Sequence, residues 1–193
     1  KKTAGWFRWI CPFTPPIWNQ AAQVVAVSEF SRQLAQKHYP VDIKIIHNGV
    51  DTSALSPGEI KVNHPPQIVF AGRLMPQKNP LLLVRVLGQL QDLAWHCTIL
   101  GDGPLMKEIR KEIARRELEE RFSLPGWVEP ETVIEEFGKS DLLFMPSRSE
   151  GLPMVGVQAL SMGLAIVASD IGGFLDLVDD RENGYLEIGR AHV

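Results

Sequence analysis

The sequence predicts an α/β domain built on a doubly wound, mainly parallel β-sheet, on the basis of three observations. From Gln23 onward, short β-branched runs alternate with longer amphipathic stretches, which is the pattern of βαβ units. The 193-residue chain is 45% apolar and 22% charged, which is sufficient for a hydrophobic core. Gly-rich or polar turns follow several predicted strands, at the edge where a doubly wound sheet binds its ligand.

The first βαβ unit is predicted near the start of the chain. Strands are expected at 24–28 and 42–48, and the helix between them, at 29–39, has Ser28 as its N-cap. Residues 49–66 contain Gly, Pro, Ser and Asp without an apolar period. This composition indicates an inter-domain linker.

The alternation of strands and helices resumes after the linker. Glu108 and Glu112 are spaced to pair with nearby Arg and Lys residues on one predicted helix. A turn is expected at Asp170–Gly173. The predicted helices are 79–91, 105–120 and 153–163, and the predicted strands are 67–72, 96–103, 121–125, 141–146, 164–169 and 184–188.

Composition argues against several classes of protein. The net charge is -3 and the Lys and Arg residues are scattered, so a nucleic-acid partner is not expected. Cys11 and Cys97 lie far apart without a CxxC pair, which argues against a disulfide framework and structural zinc; both are expected to be reduced and half-buried. No apolar run reaches the length of about 18–20 residues that a membrane span needs, and the start lacks a signal-peptide pattern, so the chain is interpreted as cytosolic.

The first 18 residues are rich in aromatic side chains and interrupted by proline. One interpretation is that these side chains pack on another domain or on the core of this one. The other is peripheral contact with a membrane surface, favoured by flanking basic residues. The residues concerned are Trp6, Phe7, Trp9, Ile10, Phe13, Ile17 and Trp18, with Lys1, Lys2 and Arg8 beside them.

Arg73 and Lys78 are the leading candidates for binding an anion. They lie on the loop after the strand 67–72, with no acidic residue between them. A guanidinium and an ammonium group that converge on a diphosphate each make charge-assisted hydrogen bonds of about 1.5–3 kcal/mol. The alternative is that both are solvated surface charges.

Glu150 lies just before the helix 153–163, whose start has exposed backbone N–H groups that suit phosphate or sugar oxygens. Two interpretations of its carboxylate remain open: it caps the helix, or it accepts hydrogen bonds from sugar hydroxyls. In the second interpretation, the backbone amides from Gly151 through Leu152 and Pro153 to Met154 receive phosphate or sugar oxygens.

Two glycine turns are weaker candidates. Gly101 and Gly103 would permit close approach of the backbone to a ligand, and Asp102 between them would orient a cation or the turn itself. Gly172 and Gly173 either supply amides to a bound group or act as a simple connector.

The motifs together resemble the C-terminal region of family 4 retaining glycosyltransferases of the GT-B fold. The matching segments are VSEFSR, IIHNGVD, FAGRLMPQKNP, ILGDGP, LPGWV, FMPSRSEGLPMVGVQAL, GLAIVASDIGG and ENGYL. The resemblance implies that Arg73 and Lys78 hold the donor diphosphate and that Glu150 contacts the donor sugar. It also implies donor contacts from Gly72, Gly101, Asp102, Gly103, Gly126, Trp127, Val128, Gly151, Leu152, Pro153, Met154 and Gln158, with the base received near Trp127.

One residue departs from the family pattern. The second glutamate of the family's E-x7-E motif, which binds ribose hydroxyls, corresponds to Gln158. A glutamine amide can accept from one hydroxyl and donate to the other, so weaker nucleotide binding is expected rather than none.

The resemblance implies a division of the chain and a function. Residues 1–48 correspond to the tail of an N-terminal acceptor domain, 49–66 to the linker, and 67–193 to a donor-binding domain truncated at its C-terminus. The expected reaction is retaining hexosyl transfer from a UDP- or GDP-sugar, with no cofactor or metal, to a sugar or lipid-linked acceptor held by the N-terminal domain. The alternatives are a non-catalytic nucleotide-sugar binding module, a partner-binding fragment and a sugar-nucleotide epimerase.

Overall fold

The computed structural model describes residues 14–38, 41–53, 55, 57 and 62–186. The chain divides into two compact units, Lys1–His47 and Asn48–Val193. Cys11 and the aromatic residues from Trp6 to Phe13, for which the sequence predicted a half-buried thiol and packing or membrane contact, lie outside the described residues. Among the described residues, no helix has the length and apolar content that crossing a bilayer requires.

Within its described residues, the first unit contains a small parallel sheet and two helices. Helix α1 (Thr14–Gln20) is followed by β1 (Val24–Ala26), α2 (Glu29–Gln36) and β2 (Ile43–Ile45), and the two strands pair in parallel. The N-cap prediction is confirmed, because the Ser28 hydroxyl accepts a hydrogen bond from the Ser31 amide at 3.1 Å.

The second unit is built on a six-stranded sheet. Its strands are β3 (Gln67–Ala71), β4 (His96–Leu100), β5 (Phe122–Gly126), β6 (Leu142–Met145), β7 (Ala165–Ala168) and β8 (Gly184–Leu186). They lie in the order β5-β4-β3-β6-β7-β8, and all neighbours are parallel. The chain therefore moves outward from β3, returns to its other side at β6 and moves outward again, which confirms the doubly wound prediction and places the topological switch point between β3 and β6.

Four helices connect the first five strands of this sheet. They are α3 (Pro80–Leu87), α4 (Met106–Arg115), α5 (Pro130–Phe137) and α6 (Met154–Ser161), and a 3₁₀ turn (Gly172–Phe174) precedes β8. Helix α5 was not predicted from the sequence. Its signal is Pro130 in the first turn followed by partly buried Val133 and Ile134 and buried Phe137, but the glutamates among them obscure the apolar face.

Helix α4 ends five residues before its predicted end. Glu117 adopts a left-handed backbone conformation with φ of 57°, and the Leu118 amide donates to the Ile113 carbonyl at 3.2 Å. The Glu117 amide donates to the Ala114 carbonyl at 3.1 Å, which completes a Schellman motif. Burial of Leu118 against the core accounts for this end, because its apolar side chain would leave the core if the helix continued.

The core lies on both faces of the large sheet. Strand β3 is buried from Ile68 to Ala71, a continuous apolar run expected of a parallel strand covered by helices on both sides. Cys97 on β4 is fully buried rather than half-buried as predicted, and burial raises the pKa of its thiol. Large side chains with almost no exposed surface complete this core: Phe70, Leu83, Ile99, Ile109, Phe137, Leu143, Met145, Ile166 and Phe174.

Asp141 fixes the end of the predicted linker to the start of the sheet. One carboxylate oxygen accepts from the Asn63 amide at 2.8 Å, and the other accepts from the Gln67 amide at 2.6 Å. The Asp141 amide in turn donates to the Gln67 carbonyl at 2.8 Å. The register between β3 and β6, and with it the switch point, is therefore fixed at the amino ends of the two strands.

Glu112 on α4 is the centre of an arginine cluster that joins α4 to α3. Its carboxylate accepts hydrogen bonds from Arg115 and Arg116 at 2.7–3.0 Å and lies 3.6 Å from Arg85 of α3. These hydrogen bonds, Arg115 foremost, lower the pKa of Glu112 to about 2. The pairing predicted for Glu112 is confirmed, whereas Glu108 forms no ion pair within the described part of the chain.

The Glu112 cluster predicts an acid-sensitive contribution to stability. The pKa falls from 4.5 to about 2 on folding, so the carboxylate stabilises the fold above pH 4.5 and this contribution is lost as the pH falls towards 2. We expect Glu112→Gln to lower the free energy of unfolding by about 1–2 kcal/mol at neutral pH, and the difference from wild type to shrink near pH 3. Urea titrations at both pH values measure this, with Glu108→Gln as the matched control. An equal loss at both pH values would contradict the electrostatic explanation.

Candidate functional site

A cleft of about 360 Å³ lies at the carboxyl ends of β3, β4 and β5, beside the switch point. Parallel strands of a doubly wound sheet bring their following loops together at this edge. Six of the predicted site residues line the cleft: Gly72, Arg73, Gly101, Asp102, Trp127 and Val128. The structure thus brings together the loops after three different strands, as the sequence predicted.

Four apolar cleft residues were not predicted. Ala71 and Leu100 are the last residues of β3 and β4, while Val133 and Val155 come from α5 and α6. Sequence motifs consist mainly of polar residues and glycines, and the apolar residues that line a cleft carry no such motif. Val133 had a usable signal, because Pro130 marks the start of its helix.

Backbone hydrogen bonds hold the cleft loops in place. The Gly72 amide donates to the Leu100 carbonyl at 2.9 Å, and the Gly101 amide donates to the Gly126 carbonyl at 2.8 Å. The Leu74 amide donates to the Asp102 carbonyl at 3.0 Å. The loops after β3, β4 and β5 therefore form one connected rim.

Gly101 is required because a neighbouring backbone approaches it closely, whereas the sequence predicted a close approach to a ligand. Its φ is 132°, and a Cβ atom at this position would lie 2.1 Å from the Gly72 carbonyl oxygen. A Cβ at Gly103 would likewise lie 2.5 Å from the Leu74 carbonyl oxygen. The close approach is thus between two backbones. The second role predicted for Asp102 is confirmed, because its carboxylate accepts from the Gly103 amide at 2.6 Å and orients the turn.

Arg73 lies on the cleft wall and is exposed. Among the described residues, no hydrogen bond or ion pair engages its guanidinium group. An exposed cation on a rim of backbone glycines is chemically suited to an anionic ligand.

Lys78 is not an unpaired cation, which corrects the prediction. Its Nζ donates to Glu150 Oε1 at 2.6 Å, and the side chains of Lys78 and Glu150 are 20% and 8% exposed. The helix-cap interpretation of Glu150 is also wrong, because Pro153 occupies the N-cap position of α6 without a side-chain cap. Lys78 also lies beside the cleft, because a Cβ built on Gly72 would be 3.7 Å from Lys78 Cε.

Three further hydrogen bonds surround this ion pair. The Gln77 carbonyl accepts from the Arg148 amide at 2.8 Å, and Gln77 Nε2 donates to the Ser149 carbonyl at 2.8 Å. The Gly173 amide donates to the Glu150 carbonyl at 3.2 Å, and a Cβ on Gly173 would lie 1.7 Å from the Gly151 carbonyl oxygen. The Gly173 amide is therefore already used inside the protein, which favours the connector interpretation of this turn.

The remaining predicted residues do not line the cleft. Gly151 and Met154 are exposed at the start of α6, Leu152 and Pro153 are buried, and Gln158 is half-buried on the helix itself; Gly103 and Gly126 lie on the adjoining rim. Ser147, on the loop after β6, was not among the predicted site residues; it is 1% exposed, and its hydroxyl has no hydrogen-bond partner among the described residues.

Comparison with known families identifies the chain. Residues 53–190, most of the second unit, match the family model of glycosyl transferases group 1. Residues 1–54 match the model of Glycosyltransferase Family 4. The chain belongs to the group 1 glycosyltransferases. The prediction of a glycosyltransferase family is therefore confirmed at this level.

Curated relatives are longer than this group 1 chain. The UDP-Gal:alpha-D-GlcNAc-diphosphoundecaprenol alpha-1,3-galactosyltransferase of Escherichia coli is 30% identical over 164 residues, which cover 76% of this chain and 41% of that protein. The D-inositol 3-phosphate glycosyltransferase of Jonesia denitrificans is 26% identical over 192 residues, covering 87% of this chain and 45% of that protein. The chain thus spans less than half the length of these relatives.

Solved structures of glycosyltransferases share the fold of the group 1 chain. Staphylococcus aureus TarM, solved with UDP bound, superposes with a TM-score of 0.81 at 23% identity and covers 93% of this chain and 36% of TarM. Anabaena HepE in complex with UDP and glucose gives a TM-score of 0.79 at 23% identity, over 93% of this chain and 52% of HepE. These neighbours confirm the predicted α/β fold of the GT-B type.

The contact between Gly101 and Gly72 predicts a large loss of stability on substitution. We expect Gly101→Ala to lower the free energy of unfolding by about 2–4 kcal/mol, because the added methyl group collides with a backbone oxygen and the φ angle disfavours alanine. Thermal and urea unfolding measure the loss. Gly138→Ala is the matched control, since its Cβ would meet backbone at an ordinary 3.4 Å and its φ is -61°. Equal stability of the two variants would contradict the steric explanation.

Proposed function

We propose that this chain supplies the donor site of a retaining glycosyltransferase that uses a nucleoside diphosphate sugar. The observation that carries the proposal is the exposed, unpartnered guanidinium of Arg73 within the described cleft, beside the switch point of a doubly wound sheet. Membership of the group 1 family supports sugar transfer as the reaction class.

The diphosphate is assigned to the side of the cleft that carries Arg73. Its guanidinium fork can hold two phosphate oxygens at once, and such bonds are worth about 1.5–3 kcal/mol each. Lys78 adds a second cation, since its ammonium group has three N–H donors and the bond to Glu150 occupies one. Both residues would stabilise the diphosphate as it leaves, which is the electrostatic part of catalysis.

The sugar is assigned to the space near Glu150 and the start of α6. The Glu150 carboxylate can accept from sugar hydroxyls while it keeps Lys78 in place. The Met154 and Val155 amides at the start of α6 have no hydrogen-bond partner among the described residues and could donate to oxygen atoms of the donor. The reaction is proposed to proceed with retention and without a metal ion.

The nucleoside is assigned to the β5 side of the cleft. Trp127 is 67% exposed there and Val128 lies beside it, so the base has an aromatic and apolar surface available. Gln158 is proposed to bind the ribose hydroxyls. A UDP- or GDP-sugar is the proposed donor, and the UDP bound in TarM and HepE makes uridine nucleotides the first to test.

The acceptor is proposed to bind outside the donor site. In this proposal residues 1–48 are the end of an N-terminal domain that holds a sugar or lipid-linked acceptor in the cytosol, 49–66 are the linker and 67–193 the donor domain. The two separate family models, matched by residues 1–54 and by residues 53–190, support this division of the chain. The acceptor of the E. coli relative is carried on diphosphoundecaprenol, which supports a lipid-linked class.

Removal of Arg73 should abolish most of the nucleotide affinity. We expect Arg73→Ala to weaken binding of the preferred nucleoside diphosphate by about 10- to 100-fold, because a bidentate charged contact is lost. Calorimetric titration with UDP, GDP and ADP measures the effect and identifies the base. Arg181→Ala is the matched control, because Arg181 is an exposed arginine that precedes β8 at the opposite edge of the sheet.

Failure of all three nucleotides to bind the wild-type chain would overturn the proposal. Binding without sugar transfer by a full-length protein carrying this chain would favour the non-catalytic module instead.

Gln158 offers a test of the ribose assignment. We expect Gln158→Glu to strengthen nucleotide binding by about fivefold, because a carboxylate accepts from both ribose hydroxyls and hydrogen bonds to charged groups are stronger by about 1 kcal/mol. The same titration, with Gln89→Glu as the control on an exposed turn, measures this change. An unchanged affinity would place the ribose elsewhere.

A further inference from the structure

The Lys78–Glu150 ion pair puts a nearly buried carboxylate next to the candidate anion site. Glu150 is 8% exposed and its Oε1 lies 2.6 Å from Lys78 Nζ, while the Lys78 side chain lies beside Gly72 on the cleft wall. The two charges cancel. Arg73, on the same wall, is then the cleft-lining cation without an ion-pair partner among the described residues. The Asp102 carboxylate also lines the cleft, where it accepts a hydrogen bond from the Gly103 amide and keeps its negative charge.

This arrangement affects two kinds of ligand differently. A bare diphosphate that approaches Lys78 must share the ammonium group with Glu150 and lie close to its negative charge, which is unfavourable where solvent screening is weak. A ligand that carries hydroxyl groups next to its diphosphate can donate hydrogen bonds to the carboxylate. The same carboxylate then becomes a favourable partner, because it is an acceptor only.

We propose that Glu150 discriminates between the nucleoside diphosphate sugar and the bare nucleoside diphosphate, weakening the binding of the latter. This inference rests on the proposed donor site and adds a selectivity to it. The ligand class favoured is a diphosphate ester with hydroxyls within reach of Glu150. The class disfavoured is the free nucleoside diphosphate, which is the product released after transfer.

The neutral isostere Glu150→Gln tests this proposal directly. The proposal predicts tighter binding of the bare nucleoside diphosphate, whereas loss of a residue with a purely structural role would weaken that binding. We expect Glu150→Gln to bind the preferred bare nucleoside diphosphate about 10-fold more tightly than wild type, because a buried negative charge is removed. We expect Glu150→Asp, which keeps the charge, to show no gain. Calorimetric titration with UDP, GDP and ADP gives the affinities, and Glu182→Gln, an exposed glutamate before β8, is the control for the change in net charge.

A second comparison keeps the test valid if the single variant is unstable. Lys78→Gln alone leaves Glu150 as an unpaired buried carboxylate and should lose affinity strongly, by about 100-fold. The double variant Lys78→Gln with Glu150→Gln should recover about 10-fold of that loss, because the repelling charge has gone. A residue that served only to hold Lys78 in place would give no recovery, since Lys78 is absent from both proteins.

The outcomes separate this inference from the proposed function. Nucleotide binding by wild type with equal or weaker binding by Glu150→Gln, and no recovery in the double variant, overturns the discrimination but leaves the donor site intact. Absence of nucleotide binding by wild type, the single variants and the double variant overturns both. Tighter binding of the bare nucleotide by Glu150→Gln, or recovery in the double variant, supports the part of the inference that these titrations measure, the weakening of bare-nucleotide binding by the Glu150 charge.

Discussion

The hydrogen-bonded ion pair between Lys78 and Glu150 is the interaction on which the candidate site depends. A doubly wound sheet separates the loops on either side of its switch point, because the chain leaves the two central strands in opposite directions. Here the loop after β3 carries Lys78 and the loop after β6 carries Glu150, and their 2.6 Å contact joins the two loops. The Gln77 bonds to Arg148 and Ser149 add to the same junction. Loss of this ion pair would therefore affect the loops on both sides of the switch point.

Much of the fold was predictable because its signals are local. The continuous apolar run of β3 and the Ser28 cap each depend on a few neighbouring residues. The errors arose where local signals conflict with burial. Glutamates obscured the apolar face of α5, and the helical propensity of residues 116–120 favoured a longer α4, although burial of Leu118 ends that helix in a Schellman turn. Tertiary packing decided both cases against propensity.

The site was predictable in position but less so in chemistry. Strand ends mark the loops of one edge, so Gly72, Arg73 and Trp127 were placed correctly on the cleft. The partner of Lys78 was not predictable from its neighbours, because Glu150 is 72 residues away and the contact arises only from the pairing of β3 with β6. The glycines at 101 and 173 have the same origin, since each makes room for a backbone from another loop.

The electrostatic balance of the site bears on turnover as well as on binding. A site with two free cations would hold a diphosphate tightly before and after sugar transfer, and slow product release then limits the rate. Pairing Lys78 with a carboxylate leaves Arg73 as the cleft cation without an ion-pair partner among the described residues, so the attraction for the departing diphosphate is reduced. Hydroxyl groups of the intact donor can offset this reduction, whereas the product lacks them. Interactions that favour the donor over its product in this way promote release without weakening the binding of the donor.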